Sequence, residues 1–406
     1  MDSLPPILRR QWPLALIALL FGIYGWALVA ATGSGHDGVI GPRYNALGAD
    51  WVIFLAAARA FFTGDLAHIY NQFWITDAVN SQFADWLSGP EPFPLFPYPP
   101  VYLLLVLPFA KLPVGWSLLL SQLAQFAVLA WAVRKLAPGK SWLFFLIGAV
   151  LCPAASNNVL AGSNAVLVTA LIVGGIAVLD SRPFLAGMLL GVVIFKPQFF
   201  VLLPLALMAA QKGRALSGII VCASGLVLAS VLMFGPGLWL DWINVYLHPQ
   251  QVAGVNGTDW GHSWDESVST CAALLGAPHW LATVAQMLAG AIAIAAVWWA
   301  FQTGHRYRLA ILLCAALLAS PHVSNYDLLM LGVVALILVQ ALPEGSRPLA
   351  VMLPLAAWVA AIYNPPRVMA LGLLTPLLLL GLIWLFFRGF PVEKPLRAQK
   401  PLPTKG

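Results

Sequence analysis

Long apolar segments, separated by short polar connections, run through almost the whole chain. They lie at about residues 13–31, 100–112, 115–133, 142–155, 164–179, 184–195, 199–210, 215–234, 279–300, 307–319, 326–342, 348–363 and 368–387. A helix needs about 20 apolar residues to cross the hydrocarbon core of a bilayer. Several segments are shorter, and short or broken spans are tolerated where they line a polar cavity. The pattern predicts an all-α polytopic membrane protein with about 12 transmembrane helices around a deep cleft.

The Pro-rich segment 97–113 is difficult to reconcile with loops that alternate between the two sides of the membrane. If every apolar segment crosses the membrane, the parity of the crossings fails somewhere within 97–140. We therefore expect 97–113 to re-enter the membrane or to lie in its interface. The alternative places Arg134 and its basic neighbours outside, against the rule that Lys and Arg mark the cytoplasmic side.

The first polar stretch carries two patterns typical of amphipathic helices. Apolar side chains in 51–62, and again in 74–87, follow the spacing of one helix face. Stripes of this kind that are rich in aromatic residues usually lie flat on the membrane surface. Gly64 and Gly89 follow the two patterns and mark their ends. The sequence thus predicts two interfacial helices in this stretch.

The composition agrees with a membrane protein, since 61% of the 406 residues are hydrophobic and only 9% are charged. Soluble domains carry about 25% charged residues. The basic residues form no patch, so the pI of 9.2 does not indicate a nucleic-acid partner. Arg9 and Arg10 precede the apolar run 13–31, which is too long for the core of a signal peptide and is interpreted as a retained first span.

The charges are distributed unevenly among the loops. Acidic residues concentrate in 33–99 and 235–278, whereas the short connections and the tail after Arg388 are basic. Because cytoplasmic loops are rich in Lys and Arg, both long polar loops are predicted outside and the C-terminus inside. We expect a single membrane domain over 1–390 and a disordered cytoplasmic tail at 391–406, in a bacterial inner membrane.

Asp50 begins the first amphipathic pattern, in Gly48-Ala49-Asp50-Trp51. One interpretation is an N-cap, in which the carboxylate accepts hydrogen bonds from the first turn of the helix. The other is a general base at the rim of a membrane cleft, where it takes a proton from an acceptor hydroxyl. The two interpretations are compatible.

Lys196 stands in Phe195-Lys196-Pro197-Gln198, between two apolar segments of about half the usual length. A Lys at membrane depth costs about 2.5–3.5 kcal/mol, so it usually faces a cavity or a partner. Pro197 breaks the helix there. Lys196 is therefore either a side chain that extends to the interface from the end of a span or a ligand for a phosphate, to which a compact ammonium is suited.

Two further polar interruptions lie between apolar runs. Ser320-Pro321-His322-Val323-Ser324-Asn325-Tyr326-Asp327 favours a cavity lining over a purely structural histidine, and Gly162-Ser163-Asn164 offers amide donors. Asp265 and Glu266 are adjacent, and neighbouring positions on a helix point about 100° apart. With no His or Cys cluster beside them, these two acids predict a solvated loop rather than a metal site.

Several signatures of enzyme classes are absent from the sequence. It contains no Gly-rich phosphate loop, no His-Glu-x-x-His and no Gly-x-Ser-x-Gly. We expect no nucleotide, no metal and no other cofactor. A membrane enzyme that uses activated sugars without a nucleotide site needs a lipid-linked donor.

Four stretches of the chain resemble glycosyltransferase family 87, the polyprenol-phosphate-mannose-dependent mannosyltransferase-like proteins. They are Gly48-Ala49-Asp50-Trp51 running on to Ile69-Tyr70, Phe96-Pro97-Tyr98-Pro99-Pro100, Ala186-Gly187 through Phe195-Lys196-Pro197-Gln198, and Ser320-Pro321-His322 through Asn325-Tyr326-Asp327. Their order and separation over about residues 45–340 fit the family. Gly162-Ser163-Asn164 departs from the expected Gly-Gln-x-Asn, and residues 262–267 depart from an expected Asn-Gln-Ser-like run.

The resemblance implies a GT-C fold, in which membrane helices support an active site on the outer face and the first outer loop supplies an acidic base. Asp50 matches that acid. The resemblance also implies a polyprenyl-phosphate sugar as donor, with a hexose (mannose by family default) transferred with inversion to a glycolipid or glycan acceptor among the membrane lipids. The residues expected to bind the phosphate and sugar of the donor are Lys196, His322, Gln198, Asn164, Tyr98, Asn325 and Tyr326.

A transporter or a flippase for lipids or lipid-linked sugars is the alternative, because broken helices and polar residues at the midplane suit that function equally well. No internal repeat relates the two halves, however, and the acidic residues concentrate outside the spans. The sequence therefore favours the transferase.

Overall fold

The computed structural model describes residues 5–33, 47–91, 94–139, 141–247, 265–342 and 348–361, and in these ranges the secondary structure is helical, without a strand. The α-helices are α1 Pro6–Arg10, α2 Trp12–Gly33, α3 Ala49–Thr63, α4 Gln72–Gln82, α5 Val101–Val106, α6 Val114–Leu136, α7 Ser141–Val150, α8 Pro153–Ala161, α9 Ala165–Ala177, α10 Pro183–Val192, α11 Pro197–Phe200, α12 Leu202–Ala209, α13 Gly213–Phe234, α14 Gly237–Leu247, α15 Val268–Leu274, α16 His279–Gln302, α17 Arg308–Ala319, α18 Leu329–Ala341 and α19 Pro348–Val359. Short 3-10 helices lie at Leu66–His68, Leu107–Phe109, Val193–Phe195 and Asn325–Leu328.

Four helices in the described ranges are long and apolar enough to cross a membrane, namely α2, α6, α13 and α16. The pair α7 and α8, bent by 50° at its break, makes a fifth candidate if it forms one span. The other apolar helices have 10–17 residues. The prediction of about 12 spans is therefore not confirmed, and the expected span at 368–387 and tail at 391–406 lie outside the described residues.

The Pro-rich segment 97–113 does not form a spanning helix. It contains only α5, of six residues, and a 3-10 helix of three residues. Arg59 of α3 donates hydrogen bonds to the carbonyl oxygens of Ala110 (3.0 Å) and Leu112 (3.2 Å), and so ties the end of this segment to α3. A piece of this length agrees with the expectation that 97–113 does not cross the bilayer.

The two helices predicted to lie flat on the membrane differ in the structure. In α4, Ile75 and Val79 are buried while Phe73 is 80% exposed, so this helix keeps one open face. In α3, by contrast, residues 51–58 are buried on all sides. This part of α3 keeps no open face, because its aromatic stripe packs against α5 and the small residues Ala56, Ala57 and Ala58 are buried on the other faces. The interfacial position of α3 stays a prediction. Gly64 ends α3 in the left-handed conformation, as predicted.

Among the described helices, α10 and α13 share the most extensive contact. Gly187 and Gly191, four residues apart on α10, face α13 at the positions of Ala215 and Cys222. Gly218 of α13 in turn lies against the backbone of Phe184 and Gly187. Small residues at such spacing let two membrane helices approach until their backbones touch.

An ion-pair cluster joins three of the basic loops between helices. Asp180, after α9, pairs with Lys212 before α13 and with Arg308 at the start of α17, each at 2.6 Å. The Asp180 side chain is 54% exposed, so each pair contributes little to stability. The cluster nevertheless holds one end of α9 beside one end of α17, whose opposite ends carry the polar breaks described below.

We expect Gly218→Ala to destabilise the protein by about 1–3 kcal/mol, because the added methyl group meets the carbonyl oxygen of Phe184, which cannot move independently of α10. Gly225→Ala on the same helix is the matched control, since nothing lies within 4 Å of the new Cβ. Thermal unfolding in detergent micelles should show a lower Tm for the first variant only. Equal Tm values for the two variants would contradict the close packing.

Candidate active site

Four interruptions of the helices meet at one place in the fold. They are the start of α3, the turn between α8 and α9, the break before α11, and the segment 320–328 ahead of α18. The 3-10 helix Asn325–Leu328 packs against both α8 and α9, and α3 packs against α8. Polar side chains from distant parts of the chain are thereby brought together inside an otherwise apolar bundle.

Two glycines bring the start of α3 against the end of α8. Gly48 (φ 79°) precedes α3 and Gly162 (φ 69°) follows α8, both in the left-handed region that favours glycine. The Gly48 N–H donates to the carbonyl oxygen of Leu160 at 2.7 Å. A Cβ on Gly162 would meet the Cα of Gly48 and the side chain of Trp51. This contact sets Asp50 beside the turn that carries Ser163 and Asn164.

Asp50 lies in the first turn of α3 and does not cap the helix. The helix begins at Ala49, the N-cap position is Gly48, and no side chain makes a capping hydrogen bond there. The interpretation of Asp50 as an N-cap is therefore wrong. The cap falls two positions earlier than expected because Gly48 reaches the left-handed conformation that directs the chain into α3.

The surroundings of Asp50 alter its acidity. Burial raises the pKa of Asp50 to about 6, against the lowering effects of a hydrogen bond from Tyr326 and the charge of Lys196. The charges of Glu91 and Asp327 add to the increase in this pKa. A carboxylate of this pKa remains mostly ionised near neutral pH and is a stronger base than an ordinary aspartate.

A network of buried amide side chains supports the turn between α8 and α9. Gln125 and Gln122 of α6 donate to the carbonyl oxygen of Ser163, at 2.9 and 3.3 Å. Asn158 donates to Gln122 at 2.8 Å and accepts the N–H of Ala165 at 2.8 Å. These bonds satisfy backbone groups that have no partner within the helices at the break between α8 and α9.

Asn164 is the exception in this network. It is 1% exposed, yet both polar atoms of its carboxamide lack a hydrogen-bond partner among the described residues, as does the hydroxyl of Ser163. The carboxamide lies beside the hydroxyls of Tyr98 and Tyr102 without completing a hydrogen bond of normal geometry to either. Leaving such a group buried and unpaired costs about 1–3 kcal/mol, so these atoms are available to a polar ligand that reaches them.

Lys196 is buried (3% exposed) and paired with Asp327 (1% exposed) at an Nζ–Oδ1 distance of 2.5 Å. Its ammonium also lies over the rings of Phe199 (5.2 Å) and Tyr326 (5.4 Å). Lys196 is thus not a side chain that extends to the interface. Of the two expected surroundings, a cavity or a partner, the structure shows a partner, the carboxylate of Asp327, which the sequence interpretation did not name.

The 3-10 helix Asn325–Leu328 fixes Asp327 in place. Ser324 and Asp327 form a reciprocal capping box, in which the Ser324 N–H donates to the Asp327 carboxylate at 3.1 Å. Asn325 is buried at the start of this helix, and Tyr326 reaches from it toward Asp50. Tyr326 therefore belongs to the cluster, whereas the role of Asn325 stays a prediction.

Aromatic rings form the wall beneath the cluster. Tyr98 and Tyr102 lie 4.3 Å apart between ring centroids, and Phe54 of α3 packs edge-on against both at 5.2 Å. Phe195, next to Lys196, stacks on Tyr102 at 5.2 Å. The predicted residue Tyr98 therefore contributes to the site. Gln198, by contrast, lies partly exposed in α11, and no described hydrogen bond joins its side chain to the cluster.

His322 lies beside the cluster with an accessible side chain (56% exposed). Its Nδ1 is 3.6 Å from Asp265 of the second long loop, and the charges of Asp327 and Lys196 also act on it. Asp265 is 7% exposed, so the prediction that it belongs to a solvated loop is wrong. It is buried because Val323, Ser267 and Thr270 all donate hydrogen bonds to its carboxylate. Residues 262–264 lie outside the described ranges.

Asp327, Asp265 and Tyr102 were missed as site residues by sequence reasoning. The sequence does contain a feature that indicates Asp327, because an acid beside an apolar run at membrane depth needs a cationic partner. Lys196, also at membrane depth, is a candidate for that partner. Nothing local distinguished Asp265 or Tyr102. Among the described residues no group of three or more His, Cys, Asp or Glu side chains could hold a metal ion.

Comparison with known proteins gives one match to a family. The family model of glycosyltransferase family 87 matches residues 96–321, more than half of the 406 residues. The match spans Tyr98, Tyr102 and Phe195 of the aromatic wall, the turn at Asn164, the Lys196 break and the start of the segment that carries His322, whereas Asp50 and Phe54 precede it. No curated protein and no solved structure matches the chain significantly. The chain belongs to glycosyltransferase family 87 and is therefore a glycosyltransferase with several apolar helices suited to a membrane.

Proposed function

We propose that the protein is an inverting glycosyltransferase that moves a hexose from a polyprenyl-phosphate donor to a lipid or glycan acceptor, with mannose as the family default. The observation that carries the proposal is the convergence of a carboxylate of raised pKa, Asp50, with the unpartnered carboxamide of Asn164. A base and vacant hydrogen-bonding groups inside an apolar bundle suit a sugar hydroxyl and a lipid-linked donor.

In the proposed reaction Asp50 takes the proton of the acceptor hydroxyl as its oxygen attacks the anomeric carbon. The phosphate leaves from the opposite side, so a β-linked donor yields an α-linked product. The pKa of about 6 suits Asp50 to this step, because burial makes it a better proton acceptor while leaving it ionised at neutral pH. The charge that develops on the leaving phosphate is stabilised by cationic side chains.

Two cations are candidates for the phosphate, and their surroundings differ. Lys196 is neutralised by Asp327 at 2.5 Å, so its remaining attraction for a phosphate is weakened. His322 is accessible, and its nearest carboxylate lies at 3.6 Å. We assign the leading role at the phosphate to His322, and to Lys196 a share through its free N–H groups. Asn164, Tyr98, Tyr326, Asn325 and Gln198 are proposed to contact the sugar.

The sidedness of the reaction rests on the distribution of charge. Asp50 belongs to the acidic stretch 33–99 and Asp265 to 235–278, whereas the loops around Lys212 and Arg308 are basic. The basic side is expected to face the cytoplasm, which supports an active site on the outer face of a bacterial inner membrane. Membership of a transferase family favours group transfer over the transporter or flippase alternative.

The direct test is transfer of radiolabel by the purified protein from a panel of polyprenyl-phosphate hexoses to native lipid extract. We expect one donor to be consumed with an α-linked product. Nucleotide sugars should not serve as donors without an added polyprenyl phosphate. Turnover of a nucleotide sugar by the purified protein alone would overturn the proposed donor class.

Asp50→Asn should lower turnover by about 10²–10⁴-fold, the usual contribution of a general base. The wild-type rate should fall as the pH drops through about 6, because protonation removes the base. Asp65→Asn, at the other end of α3, is the matched control and should keep wild-type kinetics. An acid limb that persists unchanged in Asp50→Asn would assign the titration to another group.

Lys196→Met should destabilise the protein by about 3–5 kcal/mol, because Asp327 is left as a buried unpaired charge. Adding Asp327→Asn removes that charge, so the double variant should recover most of the lost Tm. If Lys196 contacts the donor phosphate, the stable double variant still shows a raised donor KM. Lys212→Met, which opens an exposed pair, should change the Tm little. A double variant with wild-type kinetics would exclude Lys196 from the site.

Asn164→Leu should leave the Tm unchanged or raise it, because it removes a buried carboxamide that has no partner among the described residues. The same substitution should lower kcat/KM by about 10–100-fold if that carboxamide binds the sugar. Asn158→Leu is the matched control, since both polar atoms of the Asn158 carboxamide are hydrogen-bonded and their loss should lower the Tm sharply. Unchanged kinetics in Asn164→Leu would separate this residue from catalysis.

A further inference from the structure

The second long loop returns to the bundle at Asp265, and its carboxylate makes an unusually complete set of hydrogen bonds. Oδ1 accepts the backbone N–H groups of Val323 and Ser267, both at 2.9 Å. Oδ2 accepts the hydroxyls of Thr270 at 2.8 Å and Ser267 at 3.0 Å. Four donors from two segments hold this side chain in one orientation, although it sits in a part of the sequence that indicates no function by itself.

The free edge of that carboxylate faces His322. Oδ2 lies 3.6 Å from Nδ1 of the imidazole, a distance of ion pairing rather than of a strong hydrogen bond. The backbone around His322 is fixed as well, because Ser320 bonds to its N–H and carbonyl, and Glu266 donates its N–H to the Val323 carbonyl at 2.6 Å. The ring is therefore held by the loop, while its side chain is 56% exposed.

The other ring nitrogen of His322 is not engaged strongly. Nε2 lies 3.5 Å from the hydroxyl of Ser324, at the limit of a hydrogen bond. With Nδ1 facing a carboxylate, the Nε2–H group is the one that remains to bind an anion. A carboxylate behind an imidazole fixes the tautomer and orientation of the ring and favours its charged form.

Asp265 and His322 form a dyad, and the charges around it favour, on balance, the charged form of each member. Partial loss of solvent around the ring lowers the pKa of His322, but the contact with Asp265 and the charges of Asp265 and Asp327 outweigh both this effect and the repulsion from Lys196. The pKa of His322 therefore lies above its ordinary value. Burial raises the pKa of Asp265, yet its bonds to His322, Val323 and Thr270 hold that pKa below its ordinary value. Both shifts favour the charged form of the group, imidazolium for His322 and carboxylate for Asp265.

We propose that Asp265 is a positioning residue that orients the imidazole of His322 and directs its Nε2–H toward the phosphate of a lipid-linked donor. The phosphate part of this inference rests on the proposed function, whereas the coupling between Asp265 and His322 does not. The dyad makes donor binding dependent on pH from the alkaline side. As the pH rises through the pKa of His322, the imidazolium is lost and the donor KM rises, whereas the acid limb belongs to Asp50.

Asp265→Asn tests the dyad with little disturbance of the fold. The Asn Oδ1 can keep both backbone N–H bonds, and its Nδ2 can donate to the hydroxyls of Ser267 and Thr270, which can turn to accept. We expect the donor KM near neutral pH to rise about tenfold, as for a lost charge-assisted hydrogen bond, and the alkaline limb of the pH profile to move to lower pH. Glu266→Gln removes the same charge one residue away and should leave both the donor KM and the alkaline limb unchanged.

The coupling is measured by combining variants. His322→Gln should abolish the alkaline limb, and Asp265→Asn should have no further effect on the donor KM in that background. Asp265→Glu keeps the charge and should retain most of the alkaline limb even if the altered length lowers the Tm. An equal additional loss in the His322→Gln background would show that Asp265 acts through something other than His322 and would overturn the proposal.

A readout that needs no activity separates this inference from the proposed function. The seven histidine rings can be titrated by NMR in detergent micelles, with His322 assigned by its loss in His322→Gln. We expect its titration to move to lower pH in Asp265→Asn and to stay in place in Glu266→Gln. An unmoved titration overturns the dyad whether or not the enzyme is active. A moved titration in a protein that consumes no polyprenyl-phosphate sugar upholds the dyad and overturns the proposed donor.

Discussion

The buried ion pair between Lys196 and Asp327 is the interaction on which the arrangement of this bundle depends. Two charges inside an apolar bundle are tolerated only if they meet in good geometry, so the break before α11 and the 3-10 helix Asn325–Leu328 must come together. Pro197 fixes one partner by ending the helix, and the capping box of Ser324 fixes the other. Because the 3-10 helix also packs on α8 and α9, the pair determines where the other polar breaks lie.

The polar breaks are held by satisfied hydrogen bonds around a few unsatisfied ones. Gln122, Gln125 and Asn158 complete the bonds of the turn between α8 and α9. Asn164, within the same turn, has both polar atoms buried and unpaired among the described residues. Such a contrast is expected where a protein stores polar groups for a ligand, since a purely structural network gains nothing from leaving one member unpaired. The free-energy cost of the unpaired Asn164 carboxamide is offset by the packing of the apolar side chains around it.

Three aspartates in this region are given different properties by their surroundings alone. Asp50 has few donors and a buried position, which raise its pKa to about 6 and suit it to accept a proton. Asp265 accepts four hydrogen bonds and stays ionised as the partner of an imidazole. Asp327 is matched to Lys196. The proposed base Asp50, the proposed orienting group Asp265 and the counter-ion Asp327 are thus the same type of side chain in three environments, and only that of Asp50 suits proton transfer.

The amino-acid pattern by itself determined the class of protein, the position of the helix breaks and the family, because apolar run length, Pro and Gly act locally. It also singled out Asp50 and Lys196, since charges beside long apolar runs are expensive wherever they fold. The pattern did not determine that α3 is buried, that Gly48 rather than Asp50 occupies the cap position, or that Asp265 joins His322. Each of these three features depends on which segment, distant in sequence, packs against the residue in the fold. Burial, ion pairing and pKa are properties of that neighbourhood, and only the tertiary structure decides it.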